Sequence, residues 1–221
     1  IYFRKILIIF FNKNLSNFGA SIFSFFPIFI YGNSQISSIS IQVFLIVIFF
    51  YYLFRILIKN KTKYLLYFSI CSGLLMLLRG EFFIIYSLTL IFIYIMNKNF
   101  KHIIILFFTS LILISPYLTR NYLIFDKITI TKSVGFNLWK GNNLYSLSEG
   151  NEKIYSQKMK TEIEGITLDK KYDYNLDEIY KSEALKNIQS NPIKYLKLYF
   201  KKAFAFIFID FESTYPNYYN L

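Results

Sequence analysis

Residues 115–143 read SPYLTRNYLIFDKITITKSVGFNLWKGNN. A hydrophobic run reaches Pro116, and the pair Arg120-Asn121 then opens a polar segment marked by Gly135 and Gly141. Proline removes a backbone donor and crowds the preceding turn, so the apolar helix is expected to stop here. The charges change at the same place. Residues 1–118 hold 10 Lys/Arg and one acid, Glu81, whereas residues 119–221 hold 15 Lys/Arg and 12 Asp/Glu. The chain is read as changing solvent near Leu118.

Composition agrees with that division. Hydrophobic residues make up 55% of the 221, with 26 Phe and 20 Tyr, and the mean hydropathy is +0.39. These values exceed ordinary globular usage and predict an integral membrane protein. Ile39–Ile58 is interrupted only by Ser40, Gln42 and Arg55. At about 1.5 Å per residue it is roughly 30 Å long, the hydrocarbon thickness of a bilayer. Leu15–Tyr31, Tyr64–Leu78, Phe82–Met96 and Ile103–Leu118 are shorter apolar runs, which makes about five spans.

Residues 1–11 lack the small-residue cleavage site of a secretory signal. The chain opens on Ile1 rather than Met, so IYFRKILIIFF is read as the end of an earlier span. The single Cys71 has no internal partner for a disulfide and is expected as a packed thiol. Lys13, then Lys59, Lys61 and Lys63, then Lys98 and Lys101 occupy alternate connections, while Gly32–Ile36 and Arg79–Glu81 hold one basic residue between them. Short lysine-bearing loops stay cytoplasmic, which places the chain in the plasma (inner) membrane with residues 119–192 extracytoplasmic. The net charge of +12 then points to anionic membrane lipids as partners. The sequence contains no nucleic-acid-binding motif.

Two positions have more than one reading. Arg79-Gly80-Glu81 is either a tight turn with a snorkelling arginine, or a helix break in which Arg79 holds a phosphate and Glu81 orients a basic partner. Arg120-Asn121 is either an interfacial anchor beside Tyr117 and Tyr122 or a planar cationic fork for a phosphate or carboxylate. Further on, Ile128 and Ile130 alternate with Thr129 and Thr131, the pattern of a short strand over Lys127–Ser133. Gly135–Asn143 then combines two glycines, three asparagines and the only Trp. A sugar-contacting loop needs close backbone approach, paired donors and acceptors, and a flat stacking surface. This makes Asn137, Trp139, Gly141 and Asn142, together with Glu81 and Asn121, candidates for sugar contact or loop ordering.

The run from Pro116 to Asn143 resembles the hallmark segment of polytopic glycosyltransferases of the GT-C type. That group uses lipid-linked sugars and includes protein O-mannosyltransferases and lipid A aminoarabinose transferases. Three other segments are similar to parts of the same family: SFFPIFIYGNSQISSISIQVFL at Ser24–Leu45, LLMLLRGE at Leu74–Glu81 and NPIKYLKLYFKK at Asn191–Lys202. Ile39 after Ser38 and Gly80 after Arg79 depart from the family's common acid and proline. The resemblance implies transfer of a sugar from polyprenyl phosphate, with inversion, to an extracytoplasmic lipid, glycan or protein. It implies that Arg79 and Arg120 grip the donor phosphate and that the catalytic acid or base lies upstream of Ile1. A departing lipid phosphate is stabilised by fixed cations without reorganisation, and the attacking hydroxyl needs a nearby base. A non-enzymatic translocator of lipid-linked glycans is the alternative, and a glycan polymerase or ligase a further one.

No cofactor or metal is expected, and His102 beside Lys101 reads as an interfacial bystander. Ser148–Asn175 reads as loops with short helices. Asp177–Ser190 reads as an amphipathic helix with Leu176, Tyr180, Ala184, Leu185 and Ile188 on one face. Asn191 caps the next helix, whose first position is Pro192. That helix carries Lys194, Lys197 and Lys201 and reads as an interfacial, lipid-facing element leading toward a membrane segment at Ala203–Phe211. The predicted architecture is therefore an all-α integral membrane protein. It has a transmembrane region at 1–118, a smaller extracytoplasmic mixed helix and loop region at 119–192, and the interfacial helix with its continuation at 193–221.

Overall fold

The computed structural model describes residues 1–34, 38–59, 61–148, 150–153 and 156–207, and no strand occurs among them. The end of the Gly32–Ile36 connection and residues 208–221, with the far end of the expected segment at 203–211, lie outside the described residues. The chain divides into two compact units, Ile1–Leu123 and Ile124–Leu221.

The first unit holds α1 (Tyr2–Phe10), α2 (Lys13–Ser24), α3 (Pro27–Ser34), α4 (Ile39–Lys59), α5 (Thr62–Leu78), α6 (Phe82–Asn97) and most of α7 (Phe100–Phe125). Helices α4 and α7 are long and apolar enough to cross a membrane, while α5 and α6 are shorter apolar helices. Only 22% and 17% of the apolar windows of α4 and α7 are buried. The core helix of a water-soluble fold would be covered over most of its apolar surface.

Leu15–Tyr31 is not one span. The residue before a proline is pushed away from helical geometry, and the chain breaks ahead of Pro27, which becomes the first residue of α3. Nor does Pro116 end its helix, because α7 runs on to Phe125. Pro116 has no N–H to offer the carbonyl of Ile112, one turn back. The Ser115 hydroxyl donates to that carbonyl at 3.0 Å, so the break is repaired by its own neighbour.

Helix α5 is apolar on all sides and buries Leu65, Phe68, Ser69, Ser72, Leu75 and Met76, a helical stripe. Cys71 is buried and its thiol donates to the Leu45 carbonyl across to α4 at 3.1 Å. Helices α6 and α7 are joined by a buried relay in which Ser110 donates to the Tyr86 hydroxyl at 2.9 Å and Tyr86 to the Leu106 carbonyl at 2.8 Å. Lys98, in the left-handed conformation, ends α6 and turns the chain into α7.

The second unit holds α8 (Val134–Asn142), α9 (Gln157–Glu164), α10 (Tyr172–Ser190) and α11 (Pro192–Ile207). The expected strand at Lys127–Ser133 does not form. Thr129 donates instead to the Thr131 carbonyl at 2.7 Å, and the Thr131 hydroxyl accepts from Ser133 N at 3.4 Å, so the hydroxyls close local turns. The expected loop at Gly135–Asn143 is mostly helix α8. Its core is Trp139 with Met159 and Ala184, flanked by Phe136, Leu138, Ile163, Ile179 and Tyr180. On α10 the buried positions are Tyr174, Ala184 and Asn187. Leu185, expected on that face, is 42% exposed because it lies one residue off the stripe. Asn191 caps α11 through Lys194 N at 3.2 Å, as its sequence predicts.

Candidate functional site

The residues singled out from the sequence fall on both units. Arg79 and Glu81 flank the break between α5 and α6, where both are exposed. Arg79 ends α5 in an extended conformation, and its carbonyl accepts from Phe82 N at 3.0 Å, so Gly80 does mark a helix break. Among the described residues neither side chain makes an ion pair. Arg120 is exposed two turns from the end of α7, and its Nη1 donates to Asn121 Oδ1 at 3.0 Å. Asn121 is 1% exposed. Asn121 thus orients one edge of the Arg120 fork, and a buried carboxamide so placed holds the guanidinium without neutralising it.

The glycine and asparagine segment is organised differently from what its composition suggests. The first amides of a helix have no partner inside it, and Ser133 supplies no side-chain cap to α8. Asp177 on α10 supplies it instead, its Oδ2 accepting from Gly135 N at 2.9 Å and its Oδ1 from Phe136 N at 2.8 Å. One carboxylate therefore satisfies two orphan donors and meets the positive end of the helix dipole. A Cβ at Gly135 would stand 2.0 Å from the Asp177 carbonyl and 2.9 Å from Lys181 Cβ. Glycine is required there by the approach of α8 to α10, not to admit a ligand.

Trp139 is 3% exposed, its ring centroid 4.8 Å from that of Tyr180. A stacking platform for a sugar must present a free face, and this ring is in the core because Met159 and Ala184 close over it. The loop-ordering role suits Trp139 and the sugar-stacking role does not. Asn137 is exposed. Asn142 closes the end of α8 by donating to the Leu138 carbonyl at 2.8 Å. Gly141 offers its carbonyl to the Lys202 ammonium of α11.

Several residues that organise this region carry no obvious mark in the sequence. Asn143, 5% exposed, donates through Nδ2 to the Asn151 carbonyl at 2.5 Å, accepts at Oδ1 from Tyr145 N at 2.9 Å and donates through its backbone N–H to Ser146 Oγ at 3.0 Å. Gly150 has φ +85°, and a Cβ there would meet the Lys140 carbonyl at 2.8 Å. The connection after α7 is pinned to the start of α10 by Lys171 to Asp126 at 2.5 Å, Lys127 to Glu178 at 3.2 Å and Lys132 to Asp173 at 3.1 Å. The carboxylate of Asp126 raises the Lys171 pKa. Burial raises the Tyr180 and Tyr195 phenols and lowers the Lys202 ammonium from their ordinary values.

Beside the clamp lies an open cleft of about 320 Å³, lined by Lys132, Ser133, Phe136, Asp173, Leu176, Asp177 and Tyr180. The rings of Phe136 and Tyr180 meet edge to face at 5.2 Å. A smaller cavity of about 30 Å³ beside Trp139 and Asn187 has room for about one water. Among the described residues no group of three or more His, Cys, Asp and Glu side chains could hold a metal ion. No family model, curated protein or solved structure matches the chain.

Proposed function

We propose that this protein is a membrane glycosyltransferase that moves a sugar from polyprenyl phosphate to an extracytoplasmic acceptor. The observation that carries the reading is the resemblance of Pro116–Asn143 to the GT-C hallmark. It is supported by the placement of two exposed arginines, Arg79 and Arg120, at or near the ends of apolar helices. Arg79 makes no ion pair among the described residues. In this reading α4, α5, α6 and α7 supply the spans in the plasma membrane, and residues 119–192 face the extracytoplasmic side.

Arg79 and Arg120 hold the leaving phosphate as its charge develops. Asn121 fixes the Arg120 fork, and Glu81 acts beside Arg79 on the same turn. Within the second unit, the cleft beside α8, with its aromatic edges and the Ser133 hydroxyl, suits a polyhydroxylated ring better than the buried Trp139 does. Asn137 is exposed on the same helix, while Trp139, Gly141 and Asn142 keep that helix in place.

The test uses the parent protein in membranes and follows radiolabelled sugar leaving polyprenyl-phosphate donors. Arg79→Ala and Arg120→Ala are expected to lose about 10²-fold or more of the transfer rate at equal expression. Full transfer by both variants would remove the phosphate roles. Absence of transfer by the wild type with every donor would favour the translocator of lipid-linked glycans.

A further inference from the structure

The first unit has a polar notch that the proposed reaction does not use. It measures about 300 Å³ and is lined by Arg4, Asn17, Ala20, Ser21, Ser24 and Phe25, on the pair formed by α1 and α2. Arg4 is half-buried there, and its Nε donates to Asn17 Oδ1 at 2.5 Å. Among the described residues no carboxylate pairs with Arg4, and Glu81 is the only acid in residues 1–118. The two terminal amino groups of Arg4 and the Asn17 amide nitrogen keep their protons for another acceptor. Ser21 and Ser24 donate to the Asn17 and Ala20 carbonyls at 3.0 and 2.8 Å, so each retains only its lone pairs at the notch wall.

The depth of this notch follows from how α1 meets α4. Tyr2 and Phe10, eight residues apart on α1, pack on Tyr51 and Phe54, three apart on α4, at ring distances of 5.1 and 5.2 Å. Separations of roughly 12 Å on one helix and roughly 4.5 Å on the other mean that α1 crosses α4 steeply. With twelve residues between Asn12 and Phe25, α2 is roughly 18 Å long and cannot span about 30 Å of hydrocarbon. Helix α1 meets α4 toward its Lys59 end, where Lys5 and Arg55 lie over the Tyr51 ring at 5.8 and 5.2 Å. Tyrosines with cations mark the headgroup level of a bilayer. Phe25 lines the notch at 76% exposed, and Phe18, Ile22 and Phe26 on and just after the same helix are 64%, 53% and 46% exposed, an apolar edge suited to acyl chains.

We infer that α1 and α2 lie in the headgroup plane and that the Arg4–Asn17 notch binds the phosphate of one anionic glycerophospholipid, whose chains rest on the apolar edge. A planar fork without a carboxylate recognises a phosphodiester through paired donors, and the apolar edge selects a phosphate that carries hydrocarbon. The inference rests on the membrane placement proposed above.

The experiment places the full-length parent protein in nanodiscs of phosphatidylcholine with a minor share of phosphatidylglycerol and counts retained lipids by native mass spectrometry. One phosphatidylglycerol is expected to stay with the wild type and with Lys13→Gln. Arg4→Gln and Asn17→Asp, the second filling the fork with an internal carboxylate, are expected to hold it about tenfold or more weakly. Equal retention by both variants, or equal retention of phosphatidylcholine by the wild type, would overturn the inference and leave the membrane placement intact. Displacement of the lipid by inorganic phosphate at the same affinity would show a free-phosphate site and would also overturn it. Release of the protein from membranes by alkaline carbonate would remove the membrane placement itself.

Discussion

The two units satisfy their polar groups in different ways. In the first, hydroxyls turn back on their own helices: Ser69 to Leu65, Ser72 to Phe68, Ser87 to Phe83 and Thr89 to Ile85, all at 2.7–2.9 Å. All five ion pairs found among the described residues lie in the second unit, and four of them join residues at least 12 apart. Where water is scarce, a polar group must find a partner within its own segment. Where water is plentiful, charged side chains can reach across the fold and be screened as they do so. The contrast is in keeping with an apolar solvent around one unit and an aqueous one around the other.

The largest test of that contrast is Gly135→Ala. The methyl group meets backbone, which cannot move aside cheaply, and the second unit is expected to lose about 3 kcal/mol of stability. Trp139 is the only Trp in the chain, so its fluorescence during urea unfolding follows the second unit alone. Asp177→Ala comes next, removing both bonds to the start of α8 at a cost of about 1–2 kcal/mol in the same measurement.

Tyr86→Phe then probes the first unit. Loss of the hydroxyl between Ser110 and Leu106 is expected to cost about 1 kcal/mol, read by hydrogen exchange across α6 and α7, with no dependence on salt. Lys127→Met, by comparison, should cost about 0.5 kcal/mol at low ionic strength and almost nothing in molar salt, because the pair with Glu178 is half exposed. A salt-sensitive Tyr86 or a salt-insensitive Lys127 would break the comparison.

The smallest effect is on pH. Burial holds the folded Lys202 below its ordinary value of 10.5, so between the folded and unfolded values the unfolded chain binds more protons. Stability of the second unit should therefore rise as pH climbs through that window. The rise should disappear in Lys202→Met, measured by the Trp139 signal at alkaline pH.

Much of the fold could be read wherever a local rule had no competitor. The long apolar run fixed α4, glycine after Arg79 fixed the break before α6, and Asn191-Pro192 fixed the start of α11. The misreadings came from compensation and from distance. At Pro116 the rule against proline was cancelled by the hydroxyl of Ser115, a role that serine composition does not advertise. Ile128 and Ile130 alternate as a strand would, yet among the described residues no strand lies beside them to complete a ladder, and the threonines turn on themselves. Gly135 and Trp139 looked like ligand chemistry because their true partners, Asp177 and Ala184, lie more than 40 residues further along the chain. Arg120 was visible as a candidate, but the buried Asn121 that holds it was legible only as a neighbour.

The bond from Asp177 to the start of α8 also sets a timetable. Gly135 leaves the ribosome 42 residues before the carboxylate that caps its helix. At about 5–20 residues per second that is a wait of roughly 2–8 s. During this interval the segment following α7 has neither its cap nor the far half of its core. A chaperone or protease acting on the nascent chain would find 126–142 open, and would find it closed once α10 has emerged.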